Sequence, residues 1–201
     1  MRRLWLGLAL WLAVGAAQAA DLVAGVRERL AQPALLRGDF TQSKSVAGFR
    51  KPLASNGDFL VSRERGVLWH TRKPFAGELR MTRNEIVATQ DGRVAFQLDA
   101  GREPSVRVIN NLMFSLLGGD VLALKEYFTI DGKLSGKSWS LTLTPRHAAL
   151  AKSMRRVDLS GDRYVRQITI DESNGDSTHI QFSALRSTPP ALTAEEAARF
   201  D

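Results

Sequence analysis

The sequence predicts a mainly β chain with some helix, an α+β fold of about ten antiparallel strands. Three observations carry this. Short segments alternating apolar and polar residues recur from Leu35 to Arg186, turn residues separate them, and helical spacing is confined to a stretch ahead of the strands, an insertion among them and the tail. A sheet of that size curls, and its concave face must be filled by something.

The elements follow in order. "DLVAGVRERLAQ" puts Leu22, Val23, Val26 and Leu30 on one helical stripe, with Asp21 suited to the N-cap. After Pro33, "LLRGDFTQSKS", "GDFLVSRE" and "GVLWHTR" read as strands, the last two joined around Arg65 and Gly66. "GELRMTR", "NEIVATQ" and "RVAFQLD" continue the meander, with the turn "QDG" at Gln90 to Gly92. "EPSVRVINNLMFSLLGG" interrupts it. Pro104 fits a first helical turn, Val106, Ile109, Met113 and Leu116/Leu117 form a stripe, and Gly118-Gly119 stop it; a short helical piece at Val121 to Lys125 follows. Strands resume with "EYFTIDG", "SWSLTLT", "MRRVDLSG", "RYVRQITID" and "THIQFSALR", separated by the turns "DGKLSGK", "SGD" and "ESNGD". A Pro-containing tail ends in a short helix at Thr193 to Phe200.

The N-terminus has its own logic. Arg2 and Arg3 precede the uncharged run "LWLGLALWLAVGAA", and "AQA" places small residues at the −3 and −1 positions of a cut after Ala19. That is the plan of a secretory signal peptide over residues 1–19, the run being shorter than the ~20 residues of a spanning helix. Residues 20–201 are then a single exported domain with a short variable tail from about 187. The 201 residues carry a net charge of +7; loss of Arg2 and Arg3 leaves 26 basic against 21 acidic residues, a net +5. With no cysteine, burial alone must stabilise the fold, and 44% hydrophobic residues supply the material.

Motifs for chemistry are absent. His70, His147 and His179 have no metal-ligand spacing, and no thiol is available. "GKLSGKS" has three residues where a phosphate loop has four, and "DESNGD" puts Gly175 where a calcium loop needs an oxygen ligand and Phe182 where it needs a Glu; both read as turns. No GxSxG is present. The sequence asks for no enzyme, cofactor or metal. The basic residues lack the aromatic interleaving of a base-stacking platform, so the mild positive charge suits anionic membranes or acidic partners, not nucleic acid.

The stretch Gly57 to Pro74, "GDFLVSRERGVLWHTRKP", carries a resemblance. Its Gly57-Asp58 start, the strand ending in Arg63, the aromatic strand reaching Trp69 and the closing Pro74 resemble the LolA family of periplasmic lipoprotein carriers. "FTQ" at Phe40 to Gln42, "DGR" at Asp91 to Arg93, the helical insertion and a late "I-T-I-D…G…T-x-I-x-F" hairpin agree, over roughly Asp21 to Leu185. The resemblance implies a strongly curved, unclosed antiparallel β-barrel with helices forming a lid or plug. It implies a monomeric periplasmic carrier of acylated lipoprotein or lipid cargo, served by an inner-membrane release complex and an outer-membrane acceptor. It also implies that Arg63 latches the lid. Alternation along the strand independently puts Phe59, Val61 and Arg63 on one face, with the guanidinium at the rim near helix-end carbonyls. The expected acyl-cavity lining is Phe40, Phe59, Val61, Val67, Trp69, Leu79, Met81, Val94 and Phe96, with Ile109, Met113 and Leu117 from the insertion.

The chain departs from the family in ending at "ALTAEEAARFD" where carriers continue into a further Phe-rich strand, and in lacking the aromatic pair near Asp91 to Asp99. The cargo is therefore open between lipoprotein and another lipid. Two other readings stand beside the carrier: a non-enzymatic β-rich periplasmic binding or assembly module for a protein partner, and a lipid hydrolase, for which the spacing shows no polar constellation.

Overall fold

The computed structural model describes residues 22–99, 101–102, 114–115 and 120–200. Eleven strands form one antiparallel sheet: β1 (Leu35–Ser45), β2 (Leu53–Ser62), β3 (Gly66–Lys73), β4 (Gly77–Met81), β5 (Glu85–Gln90), β6 (Arg93–Asp99), β7 (Phe128–Ser135), β8 (Ser138–Pro145), β9 (Met154–Gly161), β10 (Val165–Glu172) and β11 (Ser177–Arg186). Their spatial order is β6-β5-β4-β3-β2-β1-β11-β10-β9-β8-β7, so two meanders meet where β1 pairs with β11. The sheet curls without closing, and β6 and β7 are its edges. Among the described residues it is accompanied by α1 over 22–29, α2 (Ala148–Ala151) and α3 (Ala194–Ala198), together with a 3-10 turn at Ala123–Glu126.

Every alternating segment of the sequence becomes a strand, but one turn is misplaced. The sequence reads "DGKLSGK" as a turn, whereas β7 runs through it to Ser135 and only Gly136 and Lys137 separate β7 from β8. Gly132 is not a turn residue. It marks a close approach of backbones, since a Cβ there would lie 2.1 Å from the Ser140 carbonyl oxygen. The Asp91-Gly92 turn has positive φ at both residues, 50° and 73°, as a two-residue hairpin of this twist requires.

The register fixes what faces inward. Phe59 pairs with Trp69, Trp69 with Leu79, Leu79 with Ala88 and Ala88 with Phe96, one row crossing five strands. On the other meander Phe40 pairs with Phe182, Ile168 with Ile180 and Leu159, and Leu159 with Leu141. Apart from Ala88 and Phe96, these concave residues form one cluster with Val23, Val26 and Leu30 of α1 and its C-terminal flank, Trp69 and Leu79 packing against it half-buried. Val23 and Val26 are fully buried, each worth about 1.5–3 kcal/mol of apolar transfer. The predicted amphipathic helix thus plugs the curl. Its proposed cap, Asp21, and most of the insertion helix lie outside the described residues; Phe114 and Ser115 within it are helical.

The convex face has a smaller cluster of its own. Leu60 and Leu68, which point away from α1, pack against Phe200 and Leu192 of the tail. Thr193 caps α3 in a reciprocal capping box with Glu196, where the sequence places the tail helix.

Candidate functional site

The interior of the curl is packed. Phe40 stacks on Trp69 with ring centroids 3.9 Å apart, Phe59 lies 6.0 Å from Trp69, and Phe182 meets Phe59 edge-on at 5.1 Å. Gly57 makes room for this group: a Cβ there would sit 2.8 Å from the Phe40 ring and 1.8 Å from the His70 carbonyl oxygen. Between Leu30, Leu36, Phe59, Val165 and Phe182 remains a void of about 10 Å³, room for no more than a water.

At the rim the space opens. A cleft of about 660 Å³ is lined by Gln32 and Pro33 beyond α1, Val61 and Arg63 at the end of β2, Arg83 and Asn84 in the β4–β5 turn, and Phe114, Asp120, Glu126 and Tyr127 opposite. Local backbone bonding places each side. Arg63 N–H donates to the Ala34 carbonyl at 3.0 Å, which holds the α1–β1 connection against the end of β2. Thr82 Oγ1 accepts from the N–H groups of Asn84 and Glu85 at 3.3 and 3.2 Å, which projects Arg83 from a tight turn. Glycine is needed at Gly66, with φ of 141°, because a Cβ would lie 2.0 Å from the Met81 carbonyl oxygen.

Arg63 spans the plug and the barrel. Its Nη2 donates to the Gln32 carbonyl oxygen at 2.8 Å and lies 3.3 Å from Gln32 Oε1. The side chain is exposed, so the bond is accessible and of modest strength. The opposite wall mixes signs with it: Arg63 and Arg83 on the β side, Asp120 and Glu126 on the side of the 3-10 turn.

The other sequence-chosen residues divide into three groups. Phe40, Phe59, Val61, Val67 and Met81 are buried in the concave cluster, and Trp69 and Leu79 pack against it half-buried. Phe96 continues their row onto the edge strand, where it is 48% exposed; Val94, beyond a bulge in β6, is 61% exposed. Ile109, Met113 and Leu117 lie outside the described residues. The second meander, read as strands from the sequence but absent from the expected lining, supplies Trp139, Leu141, Leu143, Leu159, Ile168 and Phe182 to the same face. Their signal is the alternation of "SWSLTLT", "MRRVDLSG", "QITID" and "THIQFSA".

The missed polar feature is on the convex side. Arg37, 4% exposed, binds Glu196 through two N–O contacts of 2.6 Å and donates to the Pro189 and Ala191 carbonyls at 2.9 and 3.0 Å. This bonding holds the Glu196 carboxyl down at about 2 and raises the Arg37 guanidinium above its ordinary value. Arg80 donates to the Phe200 carbonyl at 2.8 Å, and Arg199 pairs with Glu78. His70, on the same face, pairs with Asp58 at 2.9 Å.

The architecture defines a class first: an unclosed antiparallel β-barrel plugged by its own N-terminal helix, with a cleft at the rim. The family follows from the sequence, because residues 14–199 match the model of the outer membrane lipoprotein carrier protein LolA-like family, and the chain belongs to that family. Members are binding and carrier proteins, generally periplasmic. A DUF1329 family protein from Desulfovibrio piger is similar in fold at 13% identity, over 92% of this chain and 96% of that one, with a TM-score of 0.51. A putative outer membrane lipoprotein-sorting protein domain from Vibrio parahaemolyticus matches at 10% identity over 92% and 97%, TM-score 0.48. A LolA superfamily protein from Nitrosomonas europaea matches at 8% over 84% and 92%, TM-score 0.46. No curated protein sequence matches significantly. Among the described residues no helix is long and apolar enough to cross a membrane.

Proposed function

We propose that this chain is a periplasmic carrier that takes an acyl chain against the concave face of its barrel and ferries lipoproteins or lipids from the inner toward the outer membrane. The observation that carries the reading is the Arg63 bond to the Gln32 carbonyl, which ties the connection beyond α1 to the barrel rim beside an open cleft. In this closed arrangement α1 already fills the concave face. Cargo must displace apolar contacts as well as make them, so the ~0.8 kcal/mol for each CH₂ removed from water is partly offset. The affinity is therefore moderate, as a carrier that must release its load requires.

The route is by exchange. An acyl chain entering by the cleft at Val61, Phe114 and Tyr127 meets Phe59, Trp69 and Met81 behind the plug, and methionine adapts to varied chain shapes. Catalysis has no part in this reading. The test is mass spectrometry of species co-purifying from the native periplasm, with a dansyl-labelled fatty acid titrated into the empty protein. Recovered lipoproteins or lipids with saturable probe binding are expected; no acylated species and no saturable binding would overturn the carrier reading in favour of a protein-binding module.

A further inference from the structure

A separate surface lies at the other end of β1–β4 from Arg63. The β1–β2 and β3–β4 hairpins belong to adjacent strands, with Asn56 paired to Lys73, so their tips project side by side. Each tip carries a bare aromatic ring: Phe49 is 72% exposed and Phe75 73%, and Leu53 beside Phe49 is 61% exposed. Single exposed apolar residues need no explanation, but three large ones gathered on neighbouring tips do.

Cations surround them. Arg50, Lys51 and Lys73 flank the rings, all exposed and forming no ion pair among the described residues. Arg72 is engaged by Asp39 at 3.0 Å, and the nearby Asp91 is flanked by Arg93 across its turn. The acidic groups of the neighbouring β10–β11 turn are also engaged: Lys44 binds Glu172 at 2.7 Å and Asp176 at 3.4 Å. The tip is thus left net positive. It is also built to hold its shape, since Asp176 accepts the Ala47 N–H at 2.9 Å and Phe49 N–H donates to the Val46 carbonyl at 3.0 Å.

We propose that these two hairpin tips dock the protein on an anionic lipid bilayer, with Phe49 and Phe75 entering the interfacial region and Arg50, Lys51 and Lys73 on the headgroups. Aromatic and aliphatic side chains beside unpaired cations are the combination that an anionic interface rewards, each cation adding to the attraction within a Debye length. A protein partner would be expected to bring carboxylates to a more enclosed surface. The tips are convex and open, and fit a soft, extended surface better. This docking uses none of the cleft residues, so it stands or falls apart from the carrier reading.

The chain lacks cysteine, which makes the test site-specific. An environment-sensitive dye is attached to Phe75→Cys or, as the control at the opposite end of β2, to Glu64→Cys, and each is mixed with vesicles of phosphatidylcholine alone or with phosphatidylglycerol. The expected result is a blue shift at position 75 with the anionic vesicles, little shift at position 64, and an apparent affinity lowered at least tenfold by Arg50→Glu with Lys51→Glu. Arg50→Lys should preserve it. No shift at position 75, equal shifts at both positions, or affinity unchanged by the charge reversals would overturn the proposal; the last two would mean that the N-terminal apolar run or another face holds the membrane.

Discussion

Arg37 and Glu196 meet fork to fork on the convex side of the barrel, with Nε to Oε1 and Nη2 to Oε2 both at 2.6 Å. Arg37 comes from β1 at the seam of the two meanders, and Glu196 from the third position of α3, so one pair joins the sheet to the tail. Such bidentate geometry is strong, but a buried pair is most consequential when one member is lost. Glu196→Ala would leave Arg37 buried with only carbonyl partners, and should lower unfolding free energy by about 3 kcal/mol. The double change Arg37→Met with Glu196→Leu should recover at least half of that. Urea denaturation of the variants checks both values.

The same pair sets an acid limit. Glu196 titrates at about 2 in the folded chain against 4.5 as its ordinary value, so folding favours its ionised form. Its stabilisation is fully present above about pH 4.5 and is lost as pH falls toward 2, on the order of 3 kcal/mol in all. Asp176, held low chiefly by the Ala47 N–H, acts in the same direction. So does Asp162, where burial pushes upward but the Arg166 and backbone bonds together outweigh it. Unfolding free energy measured from pH 6 to pH 2 should fall in this window, and fall less steeply in the Arg37→Met, Glu196→Leu double variant.

The strands were legible because one face of each is buried, and a period of two cannot be shifted by one residue without exposing it. The plug was legible for a related reason: Val23, Val26 and Leu30 recur at helical spacing. Arg37 was not. In "LLRGDF" it looks like an ordinary outward-facing cation, and only the return of the tail, 159 positions later, buries it. Gly132 misled in the opposite sense, because a glycine that permits two backbones to approach is written with the same letter as one that permits a turn. Cavity and core also share an alphabet. Phe59 and Val61 are predicted to face inward and do, yet a stacked aromatic group and a lined void have the same alternation.

Gly57 offers a sharper check on that aromatic group. Gly57→Ala places a methyl against the His70 carbonyl oxygen and the edge of the Phe40 ring, where neither backbone nor stack has room. A loss of about 1–3 kcal/mol is expected, as for overpacked cores. Near-ultraviolet circular dichroism should weaken with it, because Trp69 stacks on Phe40. Gly92→Ala, where a Cβ meets open space, tests backbone strain alone at φ of 73° and should leave the aromatic signal unchanged.

The tail can be removed as a unit. Ending the chain after Arg186 would uncover Leu60 and Leu68, now 5% and 1% exposed, and strip Arg37 of its carboxylate. Each uncovered leucine forfeits about 1.5–3 kcal/mol, and a new apolar patch on a curved sheet favours self-association. Thermal melting should drop by more than 5 °C on the order expected for such losses. Size-exclusion chromatography should show a larger oligomeric fraction than the full chain gives under the same conditions.

Arg63 makes the functional prediction. The guanidinium bonds to Gln32 from an exposed position, so Arg63→Leu should change stability by under about 1 kcal/mol. Its effect should instead fall on opening. With the rim bond gone, the connection beyond α1 loses its side-chain tie to Arg63, while the backbone bonds from Arg63 N–H to Ala34 and from Ala31 N–H to Arg163 stay in place. Displacement of the plug becomes easier, and stopped-flow mixing with a fluorescent acyl probe should show uptake and release both faster by several-fold. The equilibrium constant should move less than either rate. Arg65→Leu, in the same turn but outside the lining of the cleft, should leave both rates unchanged. If the two variants behave alike, the guanidinium of Arg63 is a surface cation and the latch must lie elsewhere on the rim.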